Sequence, residues 1–378
     1  MLQFKDNKAP QCTWNPRVGQ GAAKQMLRKA LEIIAAGRDL ARAEAEAAME
    51  EVLSGRASHD EIVELLSRLN AKGETVDELV AFASAMRRHA PAIFPDPYPD
   101  AQQTLVDTCG TGGDRSGTFN ISTVVAFVVA GAHVRVAKHG NRSISSRCGS
   151  ADVLEELGVE IHLSAEGIRR SIETVGIGFV FAPAIHAATR HAAAARREIG
   201  KRTVFNLLGP LTNPARASAQ VVGVYDRAVM EPMARALGEL GVRRALVVHG
   251  ADGLDEISLS GDTDVSEFHQ GAVRNYQVHP EDFGLPHTPL EAIRGGDTAE
   301  NAEIVRGILG GSASYAPHRA IVLANAAAAL VASGHARDFR EGVRLGAQSI
   351  DSGRAHERLD RLVAFTQAER ERLREARC

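Results

Sequence analysis

Asp107-Thr108-Cys109-Gly110-Thr111-Gly112-Gly113-Asp114 and Lys138-His139-Gly140-Asn141-Arg142 have the composition of phosphate-cradling loops. Glycine lets the backbone approach an anion and turn its N–H groups inward, and a helix starting just beyond adds free amides and a positive partial charge. The first loop follows an apolar run, Thr104 to Val106, and leads through Asn120-Ile121-Ser122-Thr123 into the apolar helix Val124 to Ala130. The second follows a strand-like run, His133 to Ala137, and leads through a serine-rich bend into Ala151 to Leu157. Asn120, Ser122 and Thr123 are preferred helix N-caps, and Ser150 with Asp152 marks the second helix start. Either loop alone reads equally as a well-capped turn. Together, with Lys138 and Arg142 as cations, they suit a ligand carrying several phosphates.

A third stretch, His249-Gly250-Ala251-Asp252-Gly253-Leu254-Asp255-Glu256, places three acids within five residues on a glycine-rich loop. Oxygen donors on such a loop suit Mg²⁺, which binds through one or two carboxylates, keeps waters and takes further oxygens from substrate phosphates. An acidic surface turn has the same composition; the phosphate loops in the same sheet favour the metal. The alanine-rich run His186 to Ala195 reads as a helix ending in Arg196-Arg197-Glu198, where Arg196 is by pattern a solvated helix arginine. Asn206 to Pro214 reads as a rigid structured loop, or equally as a plain connector.

These residues need a scaffold, and the hydrophobic pattern supplies it. From Gly21 to His89 apolar residues recur at helical spacing: Met26, Leu27, Ala30, Leu31 and Ile34, then Ala45, Ala48, Met49 and Val52, then Ile62, Leu65, Leu66 and Leu69. Gly37, Gly55 and Gly73 end three helices, and Ser58 with Glu61 and Thr75 with Glu78 have capping-box spacing. Pro91, Pro95, Pro97 and Pro99 form a stiff connector. Beyond Asp100, β-branched runs alternate with helical stretches, the mark of a mainly parallel sheet. Gly178 to Ala182, Gln220 to Val224 and Arg244 to His249 are candidate strands, with a helix over Met230 to Leu240. The fold class is α/β: a leader over 1–20, a small helical domain over 21–95, a large α/β domain over 100–365 and a tail over 366–378. Ligands of such sheets bind beyond the carboxyl ends of strands, where both glycine loops fall.

Composition limits the rest. With 378 residues, 44% of them hydrophobic, the chain can bury a sizeable core, and a net charge of −3 gives no reason to expect nucleic acid or an anionic membrane as partner. Cys12, Cys109, Cys148 and Cys378 fit neither a disulfide framework nor a metal-ligand spacing, which points to a reducing cytoplasm. Neither a signal peptide nor an apolar run of membrane-spanning length is expected.

The loops at 107–114, 120–123, 138–142 and 149–155, with Asn206 to Pro214 and Asp255-Glu256, resemble in order and spacing the motifs of the anthranilate phosphoribosyltransferases. The resemblance runs from the Glu44 to His89 segment, with Lys72-Gly73-Glu74-Thr75, through Gly295-Gly296-Asp297 to Phe365. It implies a reaction of tryptophan biosynthesis, in which the amine of anthranilate displaces pyrophosphate from phosphoribosyl pyrophosphate. It also implies a homodimer formed through the helical domains, which the segment 186–213 joins. By resemblance Gly110, Gly113, Asp114, Thr118, Asn120, Ser122, Thr123, Lys138, Ser146 and Ser150 would contact the phosphoribosyl donor. Ser122, Asp255 and Glu256 would bind two Mg²⁺ ions, and Gly110, Asn141, Arg196, His139, His186 and Pro210 would receive anthranilate. No catalytic acid or base is assigned, His139 being the nearby candidate. The chain departs from the pattern around Ile185 to Arg190, where many relatives carry a second histidine and a proline, and at Cys148, often serine.

Two other classes share this fold. Pyrimidine nucleoside phosphorylases also cradle phosphate, but their lysine loop lacks Gly-Asn-Arg after Lys-His. A non-catalytic nucleic-acid-binding relative predicts basic faces and a degraded acidic pair, whereas this chain is mildly acidic and retains Asp255-Glu256.

Overall fold

The computed structural model describes residues 16–94, 104–114, 116–143 and 147–376. Four helices come first: α1 (Pro16–Ala35), α2 (Arg42–Leu53), α3 (His59–Lys72) and α4 (Val76–His89). Leu27, Ala30, Leu31, Ile34, Ala45, Ala48, Met49, Val52, Ile62, Leu65, Leu66 and Leu69 share one buried cluster, as their periodicity predicts. Burying a leucine or isoleucine fully contributes about 1.5–3 kcal/mol, more than the differences in helix propensity among residues other than proline, so the stripe holds the bundle. Ser58 and Thr75 cap α3 and α4 reciprocally with Glu61 and Glu78. Glu78 is fully buried, and its carboxylate accepts from the N–H groups of Leu40 and Thr75 and faces Lys72 at 2.9 Å.

Helix α1 starts at Pro16, inside the expected leader. Residues 1–15, with Cys12 and Trp14, lie outside the described residues. So do the connector prolines 95, 97 and 99, the candidate Ser146, and positions 377–378 of the tail.

The remaining chain runs β1 (Leu105–Gly110), α5 (Ile121–Gly131), β2 (Arg135–Gly140), α6 (Ser150–Glu156), α7 (Ala165–Val175) and β3 (Ile177–Phe181). Next come α8 (Ala182–Ile185), α9 (Ala193–Ile199), α10 (Val204–Leu211), β4 (Ala219–Gly223), α11 (Met230–Glu239), β5 (Arg244–Gly250), β6 (Thr263–His269) and β7 (Ala272–Val278). The chain ends through α12 (Pro280–Phe283), α13 (Thr298–Leu309), α14 (Ala316–Ala332), α15 (Phe339–Asp351) and α16 (Arg354–Glu375). The strands form one sheet in the order β3-β2-β1-β4-β5-β6-β7, parallel as far as β5 and antiparallel beyond it. The mainly parallel sheet is therefore as expected. Its antiparallel edge was not foreseen, because the β6–β7 turn uses Gln270 and Gly271, both at positive φ, and glutamine is a weak turn signal there.

Strand order reverses between β1 and β4, which opens a crevice at their carboxyl ends. One face of the sheet carries α5, α13 and α14 on a large apolar cluster. On the other face Val222, Val224, Ala245 and Val247 join α11 in the cluster that contains the four-helix bundle. Ala192 and Ala195 near and in α9, and Val204, Phe205, Leu207, Leu208 and Leu211 of α10, belong to that same cluster.

Three local expectations need correction. The second strand covers Arg135–Gly140, so Lys138 and His139 are strand residues; β3 pairs with them, Lys138 opposite Phe179 and His139 opposite Val180, and carries the strand on to Gly140. Asn206 to Leu211 is helical, because the apolar side chains of α10 bury together, and that burial outweighs the one ladder bond that Pro210 cannot donate. The run from His186 to Ala195 is broken into a 3₁₀ turn over Ala187–Ala192 followed by α9, and the Thr189 hydroxyl donates to the His186 carbonyl at 2.8 Å.

Candidate active site

The first glycine loop leaves β1 at Gly110 and turns through Gly112 and Gly113 at φ of 67° and 85°, backbone that L side chains seldom adopt. Its Thr111 N–H donates to the Gly223 carbonyl at 2.8 Å, which fixes the loop to the end of β4. The acidic loop settles on the same spot. A Cβ placed on Gly223 would lie 1.5 Å from the Asp255 carbonyl oxygen, and one on Gly110 would lie 3.2 Å from Asp255 Oδ2. Asp255 N–H in turn points at Asp114 Oδ2 at 3.4 Å. Two stretches about 140 residues apart in sequence thus meet at the reversal of strand order.

Desolvation acts strongly on these acids. Burial, then repulsion from Asp114 and Glu256, holds the Asp255 carboxyl well above its usual range. Burial pushes Glu256 up to about 7, with Lys138 opposing, Asp114 adding to the rise and the Ser122 N–H favouring the anion. A pair of crowded carboxyls beside a serine hydroxyl and a phosphate-type loop fits a hard divalent cation, which would remove the repulsion. Among the described residues no three His, Cys, Asp or Glu side chains form a metal cage, so the donor set suits an ion completed by water and substrate oxygens.

Beneath the loop lies a buried charge network. Lys138, 3% exposed, donates to the Thr108 carbonyl at 2.6 Å and to Ser122 Oγ at 3.2 Å. Asp107, fully buried, accepts the His139 N–H at 3.0 Å, Asn213 Nδ2 at 2.8 Å and Gln220 Nε2 at 3.4 Å. Burial raises the Asp107 carboxyl and lowers the Lys138 ammonium, while each opposes the other's shift. The result is a positive group held under Ser122 by groups from β1, β2 and α5.

The side facing the bundle holds the imidazoles. His139 Nδ1 lies 3.0 Å from the Gly209 carbonyl, so that nitrogen carries the proton and Nε2 is left as an acceptor. The His186 ring meets it edge-on at 5.3 Å between centroids, and Pro210, whose carbonyl accepts from Gln220 at 3.1 Å, adjoins Gly209. His139 Nε2 is buried without a partner among the described residues, and the His186 ring is buried against the Thr212 backbone. Arg196, half-buried on α9, lies 5.2 Å over the Phe205 ring; burial lowers its pKa, and among the described residues no carboxylate pairs with it. It is a desolvated cation ready for an anion.

Burial, with His186 second, presses His139 down to about 3, and burial, with Arg87 second, presses His186 to about 4. The folded state therefore binds fewer protons than the unfolded chain, so the stability that the neutral rings contribute is complete above about pH 6.5 and falls as pH drops from there toward 4. At pH 5 each ring should account for a loss of about 2 kcal/mol relative to pH 7. Urea unfolding of the wild type and His186→Gln at both pH values checks this. Between pH 7 and pH 5 the variant should lose about 2 kcal/mol less stability than the wild type, and equal changes in the two proteins would refute a buried neutral imidazole at His186.

Of the expected site residues, Gly110, Gly113, Asp114, Ser122, Lys138, Asp255 and Glu256 come together at the crevice. Thr118 pairs with Arg294 beside it, Thr123 Oγ1 is buried without a partner among the described residues, and the Asn120 amide spans Cys148 and Asn301 instead of capping α5. Asn141 and Ser150 bond to each other at the start of α6, Asn141 N–H reaching Ser150 Oγ at 3.1 Å. Arg142 does not serve the cradle: its guanidinium binds Asp152 at 2.8 Å and Glu155 at 2.5 Å on α6, because acids one helical turn apart face the loop. Sequence reasoning missed Asp107, Asn213 and Gln220, whose pairing is set by sheet order. It also missed Arg202, which donates to the Gly113 carbonyl and stacks at 3.7 Å over Tyr225. Asp107 opens the glycine motif, and a buried acid inside an apolar strand was the available signal.

Residues 102–356 match the family model described as Glycosyl transferase family, a/b domain, and residues 28–90 match its helical bundle domain. The anthranilate phosphoribosyltransferase of Symbiobacterium thermophilum is 54% identical over 336 residues, 89% of this chain and 96% of that protein. The enzyme of the same name from Chloroflexus aggregans is 52% identical over 344 residues, 91% of this chain and 99% of its own. Among solved structures, anthranilate phosphoribosyltransferase from Thermus thermophilus superposes with a TM-score of 0.83 at 43% identity, over 90% of this chain and 99% of its own. That from Saccharomyces cerevisiae in complex with PRPP and Mg gives 0.81 at 25% identity, over 91% and 99%.

Proposed function

The chain belongs to the anthranilate phosphoribosyltransferases, and from that premise we propose how its own residues divide the work between donor, acceptor and metal. The reaction is the transfer of the phosphoribosyl group of phosphoribosyl pyrophosphate to the anthranilate amine in tryptophan biosynthesis, giving N-(5-phosphoribosyl)anthranilate and pyrophosphate. Gly110, Gly113, Asp114, Thr118, Asn120, Ser122, Thr123, Lys138, Ser146 and Ser150 serve the donor, and Gly110, Asn141, Arg196, His139, His186 and Pro210 serve anthranilate. The enzyme uses Mg²⁺; Ser122, Asp255 and Glu256 hold it, as two ions. The observation that carries this division is the seating of the acidic loop on Gly223 and against Gly110, directly beside the phosphate loop.

When bound, the metal neutralises negative charge on the pyrophosphate. The glycine-loop amides and Lys138, with its bonds to Thr108 and Ser122, are fixed before reaction, so they stabilise the leaving oxygen without reorganising. As the carbon–oxygen bond to pyrophosphate breaks, its electron pair stays with the leaving group, the amine nitrogen bonds to C1 and then gives up a proton to the departing pyrophosphate or to solvent. His139, pressed to about 3, is a poor proton acceptor at neutral pH. Its unpartnered Nε2 can instead accept a hydrogen bond from the amine and aim the lone pair, so positioning carries more of the rate than base catalysis. Arg196 takes the carboxylate in a bidentate clasp.

Arg196→Lys tests that clasp. KM for anthranilate should rise at least about tenfold with KM for the donor within about twofold, since one fork of two charge-assisted bonds is lost. Equal changes in both constants would count against it. The domain limits given by the sequence, with the helical domain starting at Pro16, a homodimer through the helical bundle and a cytoplasmic location are part of the same reading; among the described residues no helix is long and apolar enough to cross a membrane.

The decisive assay follows loss of anthranilate fluorescence on adding phosphoribosyl pyrophosphate and Mg²⁺, with an EDTA control and a pyrophosphate assay. Metal-dependent loss with release of pyrophosphate is expected. Folded protein that shows no loss, yet phosphorolyses thymidine or uridine, would move the assignment to the nucleoside phosphorylases.

A further inference from the structure

Asn325 sits on α14 within an alanine run and is 2% exposed. Its Oδ1 accepts the Ile257 N–H at 2.9 Å, and its Nδ2 donates to the Ile257 carbonyl at 3.0 Å and to the Ile321 carbonyl, one turn back, at 3.0 Å. Ile257 directly follows Glu256. Both of its backbone polar groups therefore end on one side chain, which stops the peptide planes on either side of it from turning. On the opposite side the Asp255 backbone rests on Gly223 of β4, so close that no side chain fits between them. The acidic pair belongs to no strand or helix, yet two separate elements grip it.

A buried carboxamide is costly unless its groups are paired, and an alanine-rich helix packed on a sheet has no packing need for one. Its three bonds here lead to the acidic loop and to its own helix. We propose that Asn325 is a positioning residue for the Asp255 and Glu256 carboxylates, holding them in a metal-ready arrangement before any ion arrives. This inference rests on the reading of that pair as metal-binding. Groups that orient metal ligands through hydrogen bonds typically change metal affinity by about 10–100-fold when removed.

The test uses the full-length protein and Mn²⁺ alone as probe, with binding read by calorimetry and by the electron paramagnetic resonance of free Mn²⁺. Asn325→Ala should weaken Mn²⁺ binding by about 10–100-fold. Ser349→Ala is the stability control. It deletes another buried bond, from Ser349 Oγ to the Val128 carbonyl at 2.8 Å, away from the acidic loop, and should leave Mn²⁺ binding unchanged. Equal weakening in both variants, or none in Asn325→Ala, overturns the inference. Glu256→Gln separates the two readings: if it binds Mn²⁺ as the wild type does, the metal reading fails and the inference with it. If Glu256→Gln is weakened while Asn325→Ala is not, only the inference fails. Should Asn325→Ala not fold, amide hydrogen exchange of the wild type decides. Protection at Ile257 in metal-free protein equal to that with Mg²⁺ supports prior positioning, and protection that appears only with Mg²⁺ overturns it.

Discussion

Gly223→Ala should lower kcat/KM by at least about 100-fold while leaving most of the fold intact, because displacing catalytic groups by about 1 Å commonly has an effect of that size. The added methyl would sit 1.5 Å from the Asp255 carbonyl oxygen and 2.4 Å from its carbonyl carbon, both rigid backbone atoms. The strand cannot give way: Gly223 is in register with Gly110 on one side and Val248 on the other, and its carbonyl holds Thr111. The acidic loop must therefore lift, carrying Asp255 away from Gly110. Steady-state kinetics with a Mg²⁺ titration, beside a thermal melt, measures this, and the half-saturating Mg²⁺ concentration should rise along with the loss of rate. Gly261→Ala is the control, since nothing lies closer than 4.0 Å to its added methyl. A Gly223→Ala enzyme within about threefold of wild type would mean that the seat does not place the acids.

Lys138→Met should act on stability and rate together. The ammonium is buried among Asp107, Glu256 and the Thr108 carbonyl, and removing it leaves a buried carboxylate uncompensated. Losing one partner of a buried charge pair typically costs about 3–5 kcal/mol, which urea unfolding will register. The rate effect has a separate cause: pyrophosphate gains charge as it leaves, so a fixed cation contributes more to the transition state than to the bound donor. A loss of about 10²–10³ in kcat, with a smaller change in KM for phosphoribosyl pyrophosphate, is expected. Lys138→Arg should not restore activity, because a planar fork does not fit where one ammonium meets the Thr108 carbonyl and Ser122 Oγ. A methionine variant retaining more than about a tenth of wild-type kcat would remove Lys138 from the charge-stabilising set.

The two substitutions report on different halves of one device. Gly223 fixes where the acids stand, and Lys138 fixes the positive potential they stand in. Each lies at the carboxyl half of a parallel strand, where sheet geometry and not loop flexibility sets the position.

Much of this protein is written locally in its sequence. The stripes of the bundle helices, the capping boxes at Ser58 and Thr75, the glycine loop after β1 and the acidic pair after β5 depend on neighbours a few residues away, so residue type and spacing reveal them. The order and separation of those motifs were enough to indicate the family. Partnership was not legible. That Arg142 is neutralised by α6, that Lys138 and His139 lie buried in a strand, that Asp107 joins Asn213 and Gln220, and that Asn325 holds Ile257 all follow from which elements the sheet order makes neighbours. A side chain's type fixes which charges and hydrogen bonds it can offer; the tertiary structure decides which group answers them, because the low dielectric of the interior makes each buried charge depend on partners brought from distant positions in the chain.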